Sequence, residues 1–263
     1  MNHTLEIAAI TDTGQKREQN EDSVTHNAAL GFVILADGMG GYNAGEVASG
    51  MATAMLKNDL EIRLPQLAAQ GGDLHALMRE LVAQTNRSIY QMANSRQQYN
   101  GMGTTLVLVV FHGSKLTVAH LGDSRLYRFR GGALQQITRD HSVLQEQINA
   151  GVLTAEQARH SSHKNLVTRA LGVLEDANLE IADHDLHIGD IWLLCSDGLS
   201  DMVDDSGIAT ILAQGGELDL LTRQLIDTAN QNGGRDNVSV ILARIVEGDG
   251  RGNLVRRLLK WLK

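Results

Sequence analysis

Residues 32–38 read Phe-Val-Ile-Leu-Ala-Asp-Gly, an apolar run that ends in Asp37 and a glycine. Three more aspartates border a similar apolar run close to a glycine, namely Asp123, Asp197 and Asp236. Short aliphatic runs bounded by glycine are typical of buried strands, so each acid is expected at the rim of a sheet. Clustered carboxylates raise each other's pKa unless a cation neutralises them. The four aspartates together predict a metal site that performs chemistry, although a single strand followed by Asp-Gly also fits an ordinary turn.

The donor atoms of these aspartates indicate which metal is favoured. The four acids come with no nearby Cys/His pairs at zinc spacing, so Mg²⁺ or Mn²⁺ is favoured over Zn²⁺. The backbone carbonyl of Gly38 is a further candidate ligand, because glycine lets the main chain approach an ion closely. Two such cations about 4 Å apart bridge a water, make it a hydroxide near neutral pH and support an in-line displacement. The alternative is four turn or rim aspartates that share no partner.

A polar loop upstream of the first of these acids contains Arg17, Glu21 and Asp22. The planar guanidinium of an arginine binds two phosphate oxygens at once, which a lysine cannot do. Spacing alone, however, favours a surface arginine that pairs with an acid. Glu21 and Asp22 are candidates for hydrogen-bonding metal waters or for holding Arg17, and the alternative for both is loop solvation.

Composition narrows the class of protein. The chain has 263 residues, and its hydrophobic share of 43% is that of a soluble globular protein. The net charge of −8 argues against general nucleic-acid binding, which needs a basic footprint. Cys195 is the single cysteine, cannot form an internal disulfide and fits a reducing compartment. We find no secretory signal and no apolar run of about 18 residues, so we expect a cytoplasmic protein.

The order of predicted elements indicates the fold class. A strand is expected at about 5–10, long helices at about 43–64 and 73–94, and a short helix at about 165–171. Strand hairpins lie between the long helices and a second helix pair, and the last strand begins at Val238. Antiparallel hairpins with two segregated helix pairs favour an α+β fold with two stacked antiparallel sheets and helices outside them, rather than a parallel sheet.

Six short motifs follow one another along the chain: Arg17-x-x-Asn20-Glu21-Asp22, Ala36-Asp37-Gly38-Met39-Gly40-Gly41, Gly103-Thr104-Thr105, Gly122-Asp123-Ser124-Arg125, Ser196-Asp197-Gly198 and Arg235-Asp236-Asn237. In this order and combination the sequence closely resembles the PP2C-type (PPM) metal-dependent protein phosphatases, in particular their compact bacterial members. The resemblance covers roughly residues 5–246. The combination is highly specific, although no single motif would be.

The resemblance implies an α-β-β-α sandwich, in which two stacked antiparallel sheets are flanked by helix pairs. It implies hydrolysis of phosphoserine and phosphothreonine on proteins by a metal-activated hydroxide. The implied cofactor is Mn²⁺ or Mg²⁺, with two core ions and a third site. The implied partners are phosphoprotein substrates and a cognate bacterial Ser/Thr kinase that the enzyme opposes. We further expect a monomer that binds no nucleic acid.

The resemblance also implies a role for each metal-site residue. Asp37 would bridge both core metals, and the carbonyl of Gly38 would bind the first. Asp197 and Asp236 would bind the second metal. Asp123, together with Asp197, matches the third-metal site of the bacterial members.

The remaining site residues are implied in the same way. Arg17 would hold the substrate phosphate, so that the catalytic set is Arg17, Asp37, Asp197 and Asp236. Glu21 and Asp22 would organise the metal waters. Residues 141–169 match a mobile segment beside the active site, here called the flap, and such a lid would influence substrate choice and turnover.

One position departs from the animal-type members of the family. Those members have a histidine directly after the metal-binding Asp-Gly, proposed as the general acid, whereas here the residue is Met39. A thioether has no proton to donate. A metal-bound water is then the simplest acid, and the alternatives are His141, His160 and His163 of the flap. We favour a capping or structural role for His141 and an exposed flap surface for the other two.

The end of the chain differs in charge from the rest. We expect one phosphatase domain over residues 1–247 and a separate tail over 248–263. Residues 251–263 carry five basic side chains and no acid, with leucines and Trp261 at three- and four-residue spacing. This pattern is typical of a basic amphipathic helix. Three roles are open for such a helix: packing on the acidic domain, docking to a partner, or peripheral contact with an anionic membrane.

Overall fold

The computed structural model describes residues 3–41, 44–154, 157 and 166–247. The predicted tail, 248–263, lies outside the described residues, as does most of the central part of the flap, with His160 and His163. The two ends of the flap, 141–154 and 166–169, are described.

Eleven strands form the two sheets of the described chain. Their bounds are β1 His3–Asp12, β2 Asp22–Asn27, β3 Phe32–Met39, β4 Gly103–Thr104, β5 Leu106–His112, β6 Lys115–Leu121, β7 Arg125–Arg130, β8 Ala133–Gln136, β9 Glu180–Asp185, β10 Ile191–Cys195 and β11 Val238–Glu247. The first sheet has the order β1-β11-β10-β7-β8. The second has the order β2-β3-β5-β6-β9, with β4 added beside β3. All of the pairings are antiparallel.

The helices lie outside the sheets. They are α1 Ala44–Gln70, α2 Leu74–Ser95, α3 Val143–Asn149, α4 Asp197–Ser200, α5 Asp205–Ala213 and α6 Leu218–Gln231. Leucines of α1 and α2 share a buried cluster with Ile34 and Leu108 of the second sheet. Leucines and isoleucines of α5 and α6 share another with Leu193 and Leu242 of the first sheet.

The two sheets pack against each other through a third buried cluster. It joins Val33 and Val109 of the second sheet to Trp192 and Ile241 of the first. Successive side chains of a strand point to opposite faces, so Val33 enters this inter-sheet layer while Ile34 faces the helices. Both faces of β3 are therefore buried, which explains why its sequence is apolar without alternation. The predicted α-β-β-α sandwich is confirmed.

Two local predictions were wrong. The first long helix continues past Leu64 to Gln70, with Pro65 inside it, because Leu64 and Leu67 on either side of the proline both pack on the core. No helix forms over 166–171, the described part of the predicted segment 165–171; instead Val167 bridges Ser142 and Leu171 bridges Thr104.

Strands β2 and β9 were missed by the sequence analysis. Both lie at an edge of the second sheet, where one side of the strand has no neighbour. Natural edge strands often carry charged and polar residues that discourage pairing with other chains. The sequences of β2 and β9 are accordingly polar, so they lack the apolar run that predicts a strand.

A search of the described helices found none that is both long and apolar enough to cross a membrane.

We expect Leu194→Ala to lower the free energy of unfolding by about 2–5 kcal/mol, because it leaves a cavity between the sheets. Leu194 is fully buried in the inter-sheet cluster. Leu220→Ala, at a position of α6 that is 66% exposed, is the matched control. It should change the free energy of unfolding by less than about 0.5 kcal/mol. Urea unfolding of both variants measures the difference, and equal losses would contradict the assignment of this layer.

Candidate metal centre

Asp37 lies near the end of β3 and is held through its backbone. Its N–H donates to Oγ1 of Thr105 at 2.9 Å. Its carbonyl oxygen accepts hydrogen bonds from the N–H of Thr105 at 2.8 Å and from Oγ1 of Thr104 at 2.9 Å. Asp22, at the start of β2, is its direct cross-strand partner. Thr104 and Thr105 of the motif Gly103-Thr104-Thr105 therefore anchor the backbone of Asp37.

The other predicted acids come from the first sheet and from the link between the sheets. Asp197 is the first residue of α4, separated from the end of β10 by Ser196 alone, and Asp236 lies two residues before β11. Asp123 lies in the turn between β6 and β7, where the chain passes from the second sheet to the first. A side-chain hydrogen bond links the two sheets beside the cluster: Oγ of Ser196, after β10, donates to Oδ2 of Asp22 in β2 at 2.8 Å.

The pKa of Asp37 shows that these carboxylates converge. Burial raises this pKa well above its usual value, and the charges of Asp22, Asp197, Asp123 and Asp236 raise it further, in that order. Like charges act in this way only at short range in a poorly solvated site. The structure thus brings all four predicted aspartates together, and it adds Asp22 to the cluster.

Three other acids of the cluster show the same effect. Burial, followed by the charges of Asp123 and Asp236, raises the pKa of Asp197 well above its usual value. Burial is also the main cause that raises the pKa of Asp22 and of Asp123, each to about 6. Neighbouring carboxylates contribute in both cases.

Arg17 belongs to the rim of this cluster. Its Nη2 donates to Oδ2 of Asp236 at 2.7 Å, and this hydrogen bond raises the pKa of the arginine. The negative charges of Glu21 and Asp197 also raise the pKa of Arg17. The side chain is nevertheless 49% exposed, so part of the guanidinium faces solvent. Arg17 does pair with an acid, as its spacing suggested, but that acid is one of the four predicted aspartates.

Glu21 is near the cluster and is held mainly through its backbone. Its N–H donates to Oδ1 of Asn237 at 2.8 Å, and its carbonyl accepts from the N–H of Gly38 at 3.0 Å and from Oγ of Ser49 at 2.5 Å. Burial raises the pKa of its carboxyl group. The side chain thus lies in a partly desolvated position beside the cluster.

Asn237 is a site residue that sequence reasoning missed. Besides accepting from Glu21, its Nδ2 donates to the carbonyls of Thr13 at 2.9 Å and of Gln19 at 2.8 Å. One amide therefore holds the loop that carries Arg17 against the start of β11. The signal was present in the motif Arg235-Asp236-Asn237, since an asparagine both donates and accepts.

Two glycines allow the close backbone approaches of the site. A Cβ at Gly38 would lie 2.1 Å from the carbonyl oxygen of Gly45, and a Cβ at Gly198 would lie 1.9 Å from that of Asn237. Neither contact is sterically allowed for a larger residue. The Asp-Gly order at both positions therefore reflects crowding of the main chain beside each aspartate.

The cluster fits divalent cations by the chemistry of its donors. Carboxylate and carbonyl oxygens are the preferred ligands of Mg²⁺ and Mn²⁺. Oδ1 of Asp22 is buried and has no hydrogen-bond partner among the described residues. A buried oxygen without a partner, inside a group of mutually repelling acids, is the environment that a cation or its water would relieve.

Known proteins share this architecture. The protein phosphatase 2C family profile matches residues 13–242. The serine/threonine protein phosphatase PstP of Mycobacterium tuberculosis is 40% identical over 93% of this chain, which spans only 46% of that relative. The protein phosphatase PhpP of Streptococcus pneumoniae is 36% identical over 93% of this chain and 99% of its own length.

A solved structure shows that the similarity extends to the three-dimensional fold. The catalytic domain of serine threonine protein phosphatase PstP, in complex with two manganese ions, superposes with a TM-score of 0.83 at 39% identity. The match covers 94% of this chain and all of that domain. By its sequence, its fold and its acidic cluster, the chain belongs to the protein phosphatase 2C family.

Proposed function

We propose that the chain is a metal-dependent phosphatase that hydrolyses phosphoserine and phosphothreonine on proteins. The observation that carries the proposal is the grouping of Asp37 with four further carboxylates, which come from both sheets and the link between them and each raise its pKa. A purely structural role would leave such repulsion without a benefit to the fold. Of the relatives named above, PstP is a serine/threonine protein phosphatase and PhpP a protein phosphatase, and the catalytic domain of PstP was solved with two manganese ions.

The proposed ligand set follows from the positions of the acids. Asp37 would be shared by two core Mn²⁺ or Mg²⁺ ions, with the carbonyl of Gly38 on the first and Asp197 and Asp236 on the second. Asp123 would hold a third ion together with Asp197. When bound, such ions supply a water nucleophile of lowered pKa and neutralise charge on the phosphate.

The side chains around the ions have separate proposed tasks. Arg17 would bind two phosphate oxygens with the exposed part of its guanidinium, while its contact with Asp236 orients it. Glu21 and Asp22 would accept hydrogen bonds from waters at the site. Oδ1 of Asp22, which is buried and has no hydrogen-bond partner in the described part of the chain, supports this task.

Protonation of the leaving alkoxide needs a source other than Met39, whose thioether carries no proton. His141 is 6% exposed, and its ring nitrogens face other groups of the protein. We therefore assign it no proton transfer and propose that water serves as the acid.

The wider setting is also part of the proposal. A phosphoprotein phosphatase acts on the product of a kinase, so a cognate Ser/Thr kinase is the implied partner. We propose a cytoplasmic monomer with its phosphatase domain over residues 1–247 and a distinct tail over 248–263. Gel filtration with light scattering would test the monomer, since a mass of twice 28.5 kDa would contradict it.

We expect Mn²⁺-dependent phosphate release from a phosphothreonine peptide by the wild-type chain. Asp197→Asn should lower it by at least about a hundredfold, because the variant loses one charge of the metal site. Asp227→Asn, an exposed carboxylate of α6, is the matched control and should leave activity within twofold of the wild type (roughly the scatter of surface changes). A wild type that binds the phosphopeptide tightly without cleaving it would indicate a binding protein instead.

Arg17→Lys should raise KM for the phosphopeptide by about tenfold, since a lysine keeps the charge but loses the two-point contact with phosphate. Arg17→Ala should raise KM further. The matched control is Arg63→Ala on α1, which breaks an exposed pair with Glu80 of α2 and should leave KM unchanged. Steady-state kinetics at saturating Mn²⁺ measures these values. Equal KM for the wild type and Arg17→Ala would rule out the phosphate contact.

The metal-free protein should lose stability as the pH rises. The pKa of Asp123 is raised to about 6 in the folded protein, so folding favours the protonated acid, and this contribution declines above the unfolded pKa of about 4 and is gone once the pH passes about 6. In EDTA at pH 7.5, Asp123→Asn should therefore melt about 3 °C or more above the wild type.

The two Tm values should converge near pH 4.5, where the wild-type acid is protonated in the folded state. Calorimetric melting at both pH values gives the comparison. A variant that melts below the wild type at pH 7.5 without metal would contradict the electrostatic account.

A further inference from the structure

A second group of titratable side chains lies at the base of the flap. It consists of His120, His141 and Glu180, whose nitrogen and oxygen atoms lie within 4.8 Å of one another. His120 and Glu180 are directly opposite residues of β6 and β9, and His141 precedes α3 by two residues. Each histidine is only 6% exposed. None of the three belongs to the six sequence motifs.

His141 is bonded twice to the residue before Asp123. Its backbone N–H donates to the carbonyl of Gly122 at 2.9 Å, and its Nδ1 accepts from the N–H of Gly122 at 3.2 Å. Gly122 has φ 97°, in the region that favours glycine, and a Cβ there would lie 2.6 Å from Cγ2 of Thr105. The turn that carries Asp123 is thus packed against Thr105, which also binds the backbone of Asp37, and it is held by His141.

The hydrogen bonds define the protonation of both rings. Since Gly122 donates to Nδ1 of His141, the neutral ring carries its hydrogen on Nε2, which lies 3.2 Å from Oε2 of Glu180. Nε2 of His120 donates to the carbonyl of Arg139 at 3.1 Å and lies 3.3 Å from the same carboxylate oxygen. Burial lowers the pKa of both histidines, which agrees with neutral rings.

A metal ion does not suit this group. The two rings stack with their centroids 4.8 Å apart and their planes 13° from parallel, so their lone pairs cannot both aim at one ion. Both Nε2 atoms already carry a hydrogen, and each hydrogen is donated to an oxygen of the protein. In addition, Nη1 of Arg169 lies 3.4 Å from Nε2 of His141 and would repel a cation. His120, His141 and Glu180 therefore form a hydrogen-bonded group, here called the support, which holds the base of the flap.

Both ends of the flap meet at this support. The carbonyl of His141 accepts from the N–H of Thr168 at 2.8 Å, and the N–H of Val143 donates to the carbonyl of Leu166 at 2.9 Å. Through its backbone and its ring, His141 thus connects the flap base with the turn that carries Asp123.

We propose that His141 is a positioning residue for Asp123: its Nδ1 holds the N–H of Gly122 and so fixes the turn that presents Asp123, while His120 and Glu180 fix the orientation of its ring. This rests on the proposed function in one respect, namely that Asp123 holds a cation. Groups that orient a metal ligand commonly change metal affinity by about 10–100-fold when they are removed.

Two variants of His141 test the contacts of its two ring nitrogens separately. In His141→Asn, the side-chain oxygen takes the place of Nδ1 and can still accept from Gly122, but the side chain is too short to reach Glu180. In His141→Gln, the amide reaches toward Glu180 but offers Gly122 no acceptor at the former position of Nδ1. Each variant loses one contact of the ring, so a merely structural role predicts similar effects of both.

Mn²⁺ titration calorimetry on the metal-free full-length chain, without substrate, is the main measurement. Asp123→Asn identifies the binding event that depends on Asp123. We expect His141→Gln to weaken that event by about tenfold, and His141→Asn to keep it within about threefold of the wild type. The other Mn²⁺ binding events should be unchanged in both. The Gly122 amide proton should shift upfield in the NMR spectrum of His141→Gln but not of His141→Asn, and this readout needs no metal.

Several results would overturn the proposal. Equal Mn²⁺ affinities of the two His141 variants, or an unchanged titration in Asp123→Asn, would remove the link to Asp123. A loss of turnover in both variants that grows with the pKa of the leaving group would make His141 a general acid instead. Tight Zn²⁺ binding that disappears in His120→Gln would indicate a metal site at the histidines.

Failure of the proposed function would be distinguishable from these results. An inactive wild type would contradict the phosphatase assignment, while the Mn²⁺ titrations and the Gly122 amide shift would still decide the role of His141. Conversely, an active wild type with indistinguishable His141 variants would leave the phosphatase assignment intact and overturn the positioning role alone.

Discussion

Repulsion among carboxylates from two facing sheets is the constraint on which the rest of this structure depends. Asp22 and Asp37 come from the second sheet, Asp197 and Asp236 from the first, and their charges act on one another at the common rim. The fold tolerates this because the apolar layer between the sheets and the two helix layers are extensive. The site is thus maintained by packing elsewhere, and it gains from any cation that enters it.

Several polar contacts around the cluster act on the backbone, although Asp22 and Asp236 also accept hydrogen bonds through their carboxylates. Thr104 and Thr105 bind the main chain of Asp37, and Asn237 binds the main chain of the Arg17 loop. His141 binds the main chain before Asp123 in the same manner. Carboxylates held in this way keep their oxygens for ligands, which is the arrangement a metal-dependent hydrolase needs.

The predictable and unpredictable features differ in how far their causes extend along the chain. The apolar run at 32–36 is buried on both faces, so its own sequence is sufficient to indicate a strand. Edge strand β2 has only one neighbour and a polar sequence, and its existence depends on β3. The role of Asn237 depends on partners 216–224 residues away, which periodicity cannot reveal. The four aspartates were predictable because each borders a strong strand signal.

The pairing of β1 with β11 has a consequence for synthesis. β1 borders only β11 in the described sheet, and ten residue pairs join the first described strand to the last. Asn237 and Asp236, which secure the Arg17 loop, also belong to the final part of the described chain. A nascent polypeptide still inside the ribosomal exit tunnel at that point lacks both partners. The acidic cluster and the Arg17 loop therefore reach their described arrangement only after β11 has been synthesised and released from the tunnel.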